Sequence, residues 1–378
     1  MSKQVHYNID RITEEHAIIN LIFGEKSNGK SYQVKHKKGI LPFLDYKEKV
    51  KKENAIKGAF LNDERFILLR RWKEDISNLW IEQYFADVDI YKLTNGEYNY
   101  ISNYRKVIYL SNYDTETGKI TRGEKIGYVM ALSTEQHYSG GSFLDVKRII
   151  FEEFMERGSY LPDEVSKLMF LWSTVDRKRG TTELWLVGNS ITRVCPYIRG
   201  WGLEKIFKTI KQGEIMTKTI KNDDTEIKIA VEYCRSSGGK LMSIGTSASS
   251  IDKGSWQTFP QPKLQKSKKC YNILYRIGFL YKGFKFIGEL LQDKITNEIC
   301  WFIFPFYKEF SDRLIIFSDE IKQSIYYQRD IYSLNNINIK NERIRRLLYN
   351  TFREDKIFFS DDLCGTDFKQ VIDFMIKR

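Results

Sequence analysis

The sequence predicts an α/β protein whose parallel sheet is followed by a smaller α+β domain, and three observations carry that prediction. The first half alternates strand-like apolar runs with helical stretches, the pattern of a parallel sheet flanked by helices. One of those runs, residues 17–23, leads directly into a glycine-containing loop. The second half changes texture to three aromatic-rich segments divided by short turn-like separators, the pattern of an antiparallel meander.

Taken in order, residues 17–23 (AIINLIF) form a continuous apolar run suited to a strand buried on both faces. Residues 66–69, 107–110, 127–132, 148–151 and 183–187 read as further strands. Between the last two, residues 162–175 open with Pro-Asp-Glu. Proline is favoured near a helix start, and acids favour its positive end. In the second half the meander spans 271–279, 284–291 and 298–304, and residues 339–352 and 367–376 read as helices. Residues 211–225 are polar and poor in large apolar side chains. A linker is therefore expected at 198–228, between a first domain at 1–197 and a second at 229–378.

Composition bounds the function. With 378 residues, 42% hydrophobic and 29% charged, the chain is too apolar to be mostly disordered and too long for one ordinary core. A net charge of +12 points to a polyanionic partner, nucleic acid before anionic membrane. No membrane partner is expected: the apolar run at 299–306 is far short of the roughly 20 residues that span a bilayer. The first residues mix charges of both signs without an apolar stretch, so no secretory signal is read and an intracellular location is expected. Five scattered cysteines without a CxxC pair fit a reduced compartment, and four scattered histidines give no zinc pattern. The positive charge is uneven. Residues 201–288 carry 16 basic against 7 acidic residues, including Lys263, Lys266, Lys268, Lys269, Arg276, Lys282 and Lys285, so a polyanion contact is expected there.

The chemistry concentrates at Gly24-Glu25-Lys26-Ser27-Asn28-Gly29-Lys30-Ser31, which matches GxxxxGK[ST] at every defined position. Such a loop turns its N–H groups around phosphates, and glycine permits dihedrals and a close approach that other residues do not. Lys30 can reach the β- and γ-phosphates, and the Ser31 hydroxyl can bind Mg²⁺. The nucleotide-binding set is Gly24 to Ser31 with Tyr32 after it, and the expected cofactors are ATP and Mg²⁺. The competing reading is an ordinary surface turn.

A phosphate loop calls for a second strand ending in carboxylates, and Arg148-Ile149-Ile150-Phe151-Glu152-Glu153 supplies one. Two adjacent acids at the end of an apolar strand are costly to bury without a cation or a water to act on. Glu152 is assigned to the Mg²⁺ side, with Ser31, and Glu153 to orienting and deprotonating the attacking water. Another apolar strand ends at Asn189, which reads either as a contact to the γ-phosphate or attacking water or as a turn residue. The basic cluster Arg177-Lys178-Arg179 can contact nucleic acid, stay solvated, or reach a neighbouring subunit's nucleotide. Arg70 and Arg71, after the strand at 66–69, are equally open.

The succession AIINLIFGEKSNGKSY, FILLRRWKEDI, GYVMALS, RIIFEEF and ELWLVGNSITRVCPYI resembles the DNA encapsidation (genome-packaging) ATPases of small podoviruses. These are relatives of large terminase subunits in the ASCE branch of P-loop ATPases, and the resemblance covers residues 15–200. It implies an ATP-driven motor in a homomeric ring, with five subunits the expected number. The ring docks at the portal, or connector, vertex of an empty procapsid in the host cytoplasm and draws in double-stranded DNA. A structural packaging RNA is a further possible partner. The resemblance also implies that Glu153 is the catalytic glutamate and that an arginine of Arg177–Arg179 acts in trans. One departure stands out: such proteins typically carry Asp-Glu after this strand, and this chain has Glu152-Glu153. For the second half the resemblance implies a ribonuclease-H-like fold that is a vestige of the terminase nuclease. Residues 272–279 (NILYRIGF) contain no acid, whereas a two-metal nuclease needs one on its first strand, so a binding domain is expected. Two alternatives remain: a large terminase with a live nuclease, and a non-motor nucleic-acid-binding module with a relic nucleotide site.

Overall fold

The structure, a computed structural model, describes residues 6–52, 64–156, 160–222, 225–237, 253–256, 258–281, 284–311, 314–318, 327–328, 350–351 and 354–376. The chain forms two compact units. One comprises Met1–Ile191, Lys205–Met242 and Ile251–Ser255, and the other Thr192–Glu204, Ser243–Ser250 and Trp256–Arg378.

In the first unit a short helix α1 (Asp10–Thr13) precedes strand β1 (Ile19–Gly24), all six residues of which are buried. Helix α2 (Lys30–Val34) continues through a π-helical turn (Lys35–Ile40) into α3 (Leu41–Lys52). Then come β2 (Arg65–Arg70), α4 (Asn78–Phe85), α5 (Ile90–Leu93), β3 (Tyr100–Tyr104), β4 (Val107–Tyr113) and β5 (Ile120–Ala131). Strand β6 (Val146–Glu152), helix α6 (Glu164–Asp176) and strand β7 (Glu183–Asn189) complete the alternation read from the sequence. The chain then forms helix α7 (Pro196–Gly200) in the other unit and α8 (Glu204–Thr209), and strands β8 (Ile215–Asn222) and β9 (Thr225–Tyr233) return to the sheet of the first unit.

Among the described residues this sheet has nine strands in the order β3-β4-β5-β2-β6-β7-β1-β9-β8. Its six central strands, β5 to β9 in that order, are parallel, and an antiparallel strand or hairpin closes each side. Burial on both faces explains the unbroken apolar runs of β1, β2, β6 and β7. The strand expected at 107–110 is present as β4, but in an antiparallel ribbon. Its residues alternate in burial because only one face meets the core.

The expected linker at 198–228 is instead α7, α8 and strand β8, and the expected domain boundary at 229 falls inside β9. Ile229, Ala230 and Val231 are buried and pair with Ile19, Asn20 and Leu21 of β1. Strand β8 is an edge strand whose side chains alternate between exposed and half-buried. That solvated face gives it the polarity read as a linker.

The second unit is built on the meander expected from the aromatic segments: β10 (Tyr271–Tyr281), β11 (Phe284–Asp293) and β12 (Ile299–Pro305). Strand β13 (Ile315–Ser318) lies parallel to β10, with β14 (Tyr327–Gln328) beyond it, and β15 (Ile357–Phe359) lies parallel to β12. Helix α9 (Asp362–Ile376) sets Phe368 against Phe279, Phe286 and Phe359, with ring centroids 5.0–5.7 Å apart. The helix expected at 339–352 lies almost wholly outside the described residues. Among the described residues no helix is long and apolar enough to cross a membrane.

Candidate active site

Strand register decides which side chains can meet. Gly24 of β1 pairs with Asn189 of β7, and Glu152 of β6 pairs with Val187 of β7. The carboxyl ends of β1, which leads into the GxxxxGKS loop, and of the acid-bearing β6 therefore share one edge of the sheet, with β7 between them. Gly29 turns the loop into α2 with φ +93°, a conformation that favours glycine, and Gly24 fits because a Cβ would stand 3.0 Å from the Cys234 Cβ.

Lys30 is only 4% exposed. Its ammonium donates to the Glu25 carbonyl, to Asn28 Oδ1 at 3.1 Å and to Asn189 Oδ1 at 3.4 Å. These acceptors are neutral, and among the described residues no carboxylate lies within ion-pairing distance of Lys30. Burial holds its pKa below the ordinary lysine value. A buried cation ringed by neutral oxygens is a site that an anion would complete.

Ser31 Oγ donates to Glu152 Oε2 at 2.9 Å, and Tyr84 OH donates to Glu152 Oε1 at 2.7 Å. Burial pushes the Glu152 carboxyl up from its ordinary pKa, against the lowering hydrogen bonds from Tyr84 and Ser31. Glu153 begins the following turn with φ +59° and points its half-exposed carboxylate at Arg70, 3.0 Å from the guanidinium. Arg70 also pairs with Asp75 and lies over the Trp80 ring.

The turn after β6 is fixed by Arg71, a residue the sequence left open. Its buried guanidinium meets both oxygens of Glu164 at 2.9 and 3.1 Å and Glu156 at 2.6 Å. It also donates to the carbonyls of Glu153 and Phe154 at 3.1 and 2.8 Å. Arg71 is thus structural, and it holds the backbone on which Glu153 sits.

The remaining expected site residues divide. Glu25 turns its carboxylate away from the loop, accepting from Ser236 Oγ at 2.5 Å and Ser237 N at 2.7 Å, so only its backbone shapes the loop. Lys26 and Ser27 are exposed, and Tyr32 stacks on His36. Arg177 and Arg179 lie far from the loop within the chain. Arg179 donates to the carbonyls of Leu144, Val146, Val175 and Asp176, and Arg177 to that of Gly141. Val146 starts β6 and Glu152 ends it, a span of roughly 20 Å at strand rise. Arg179 is tied into the fold by these bonds, whereas Arg177 is exposed. The signals that sequence reading missed are Tyr84 and the Ser236–Ser237 contact, each brought in from a distant segment.

The expected polyanion contact is also reshaped. Lys263 pairs with Asp362, Lys266 with Asp293, Lys268 and Arg276 with Glu289, and Lys285 with Glu309, at 2.5–3.0 Å. Part of the basic excess of 201–288 is thus met by acids from the next segment, which a count by segment cannot register, while Lys269 is exposed. Lys282 lies outside the described residues.

Comparison with known proteins follows the same lines. Residues 1–208 match the podovirus DNA encapsidation protein (Gp16) family. A DNA packaging protein of Bacillus phage phi29 is 24% identical over 295 residues, 74% of this chain and 75% of that protein. A DNA packaging protein of Bacillus phage B103 is 27% identical over 189 residues, 49% of this chain and 48% of that protein. Among solved structures, a chain of the bacteriophage Phi-29 viral genome packaging motor assembly superposes with a TM-score of 0.54 at 20% identity. The match covers 98% of this chain and 99% of that one, and it establishes likeness of fold.

Proposed function

The chain belongs to the podovirus DNA encapsidation family, the DNA packaging proteins of phi29-like phages, and from that premise we propose that it hydrolyses ATP to drive double-stranded DNA into a procapsid. The observation that carries the proposal is the convergence of Lys30, Ser31, Glu152, Glu153 and Asn189 at the carboxyl ends of β1, β6 and β7. Five strands in the order β9-β1-β7-β6-β2, with β7 between the phosphate-loop strand and the acid-bearing strand, support an ASCE P-loop reading of this unit.

The residues fit a Mg²⁺–ATP complex. Lys30 supplies the buried positive charge for the phosphates, and the Ser31 hydroxyl and Glu152 carboxylate are the pair that would hold the metal. Mg²⁺ commonly keeps only one or two protein ligands beside phosphate oxygens and water. When bound, the metal neutralises charge developing on the transferred phosphoryl group. Glu153 orients the attacking water and accepts its proton once its carboxylate leaves Arg70. Asn189, already joined to Lys30 at 3.4 Å, would contact the γ-phosphate or the attacking water. Arg177, exposed and bonded to the one carbonyl of Gly141, is the arginine of the pair proposed to complete a neighbouring subunit's site in a homomeric ring, since Arg179 is held by four main-chain carbonyls.

For the second unit we propose a ribonuclease-H-like fold used for binding, to DNA, to the portal or to a structural RNA. The meander extended by parallel strands beside its first strand supports the fold. Its acids Glu289, Asp293, Asp362 and Asp367 each pair with a basic side chain, which supports a binding role over a metal-dependent one.

The test is ATP turnover of the full chain with and without procapsid and duplex DNA. Stimulation by both is expected in the wild type. Glu153→Gln should still bind ATP while turnover falls by about 10²–10⁴-fold, because an amide cannot accept the water's proton. Near-normal turnover in this variant would show that another group is the base.

A further inference from the structure

Side chains of helix α4 reach Glu152 directly and Glu153 through Arg70, although the function proposed above uses none of its residues. The Ser77 side chain caps it, accepting from Trp80 N at 3.0 Å, and its buried face carries Ile81 and Phe85. Those contacts fix the rotation of the helix and hence the direction of Trp80 and Tyr84, one turn apart, whose rings stack with centroids 5.3 Å apart. Trp80 lies 5.0 Å from the Arg70 guanidinium that holds Glu153. Tyr84 OH donates to Glu152 Oε1 at 2.7 Å. The other end of Tyr84 is tied too: Lys35, just past α2, donates to the Tyr84 carbonyl, lies 4.7 Å from the ring centroid and pairs with Asp87.

Glu152 therefore has its two oxygens assigned to different partners, Oε1 to Tyr84 and Oε2 to Ser31. A glutamate has one more rotatable bond than an aspartate, and a carboxylate meant to meet a cation gains from being held in one orientation. An aspartate at this position would withdraw the carboxylate by about one C–C bond, ~1.5 Å, too far to keep both contacts without movement of the strand. We propose that Tyr84 is a positioning residue for the metal-side carboxylate: it fixes Glu152 Oε1 and presents Oε2 beside Ser31. This inference rests on the nucleotide-site reading above.

The test uses the full-length chain, ADP and Mn²⁺, with bound metal read from the loss of the free-Mn²⁺ electron-paramagnetic-resonance signal, and ADP affinity in EDTA read by calorimetry. Tyr84→Phe removes only the hydroxyl. It should leave ADP affinity in EDTA within twofold of wild type while the Mn²⁺ midpoint in the presence of ADP rises about tenfold, the low end of the loss from removing an outer partner of a metal ligand. In a Glu152→Asp background the same substitution should have little further effect, because the contact it removes is already lost. An unchanged Mn²⁺ midpoint in Tyr84→Phe overturns the proposal, and so does a lowered thermal midpoint as its sole effect. Full multiplication of the two effects in the double variant also overturns it. A wild-type chain that binds ADP with no dependence on Mn²⁺ would overturn the metal-site reading itself, and this proposal with it.

Discussion

Lys30 is a charged side chain with almost no water around it and neutral oxygens as its neighbours. Burying a charge on those terms costs stability in the absence of an anion, so selection for stability alone would not keep it. Lys30→Met keeps the length and apolar volume of the side chain and removes the charge. Its thermal midpoint should equal or exceed that of wild type in nucleotide-free solution, while ATP hydrolysis falls to background. Calorimetry with and without ATP separates the two effects: the wild type should be stabilised by ATP and the variant should not. Loss of stability in the nucleotide-free variant would mean that Lys30 is a structural cation.

At the scale of the element, β6 matters less for its own residues than for the turn it feeds. Arg71, at the end of β2, joins Glu164 at the start of α6 to the carbonyls of Glu153 and Phe154, so one guanidinium closes the loop between strand and helix. The Glu164 side chain is fully buried, and removing its partner leaves an uncompensated charge. Arg71→Met should lower unfolding stability by about 3–5 kcal/mol, and pairing it with Glu164→Leu should recover most of that loss. Denaturant titration of the two single variants and the double checks this. Equal losses in Arg71→Met and in the double variant would show that the carbonyl contacts, and not the buried ion pair, carry the effect. The turn that follows α6 is held in the same manner from the other side. Asp176 accepts from the N–H groups of Gly180, Thr181 and Thr182 at 2.8–3.1 Å, which shapes the loop that exposes Arg177.

At the scale of the whole molecule, charge is organised by pairing across the chain and not by segment. If Lys263, Lys266 and Lys268 were free to meet phosphates, replacing all three by glutamine would reduce the slope of log K against log[salt] for duplex DNA by about 2.7, at about 0.9 per contact. Because Asp362, Asp293 and Glu289 engage them, the reduction should be less than about 0.9 in total. Filter binding of the full chain at several salt concentrations measures it, and a loss near the larger figure would restore the DNA-contact reading of this cluster. The ring reading has its own consequence. Arg177→Ala and Glu153→Gln subunits, each inactive alone, should regain part of the wild-type turnover when mixed, since some interfaces then hold one intact glutamate facing one intact arginine. With mixed assembly verified, turnover no higher than either variant alone would argue that Arg177 does not act in trans.

The sequence by itself determined the parallel core, the glycine-lysine loop after β1, the acid-bearing strand and the meander. Each is a local pattern with a local cause: an unbroken apolar run for a strand buried on both faces, and fixed spacing for a loop that folds around phosphate. It misplaced β8 and β9, because the edge strand β8 shows one solvated face and the apolar partner of β9, β1, lies about two hundred residues away in the chain. Only the tertiary structure decided the roles that depend on a partner. Arg70 and Arg71 are neighbours of the same type, yet one holds the exposed Glu153 and the other is buried on Glu164. Tyr84 of α4 reaches Glu152, 68 positions later, through its hydroxyl at the end of a long side chain. The lysines at 263–268 find their acids 21 to 99 positions on. Ion pairs and hydrogen bonds are decided by ångströms between folded segments, and residue type along the chain fixes only which partners are chemically permitted.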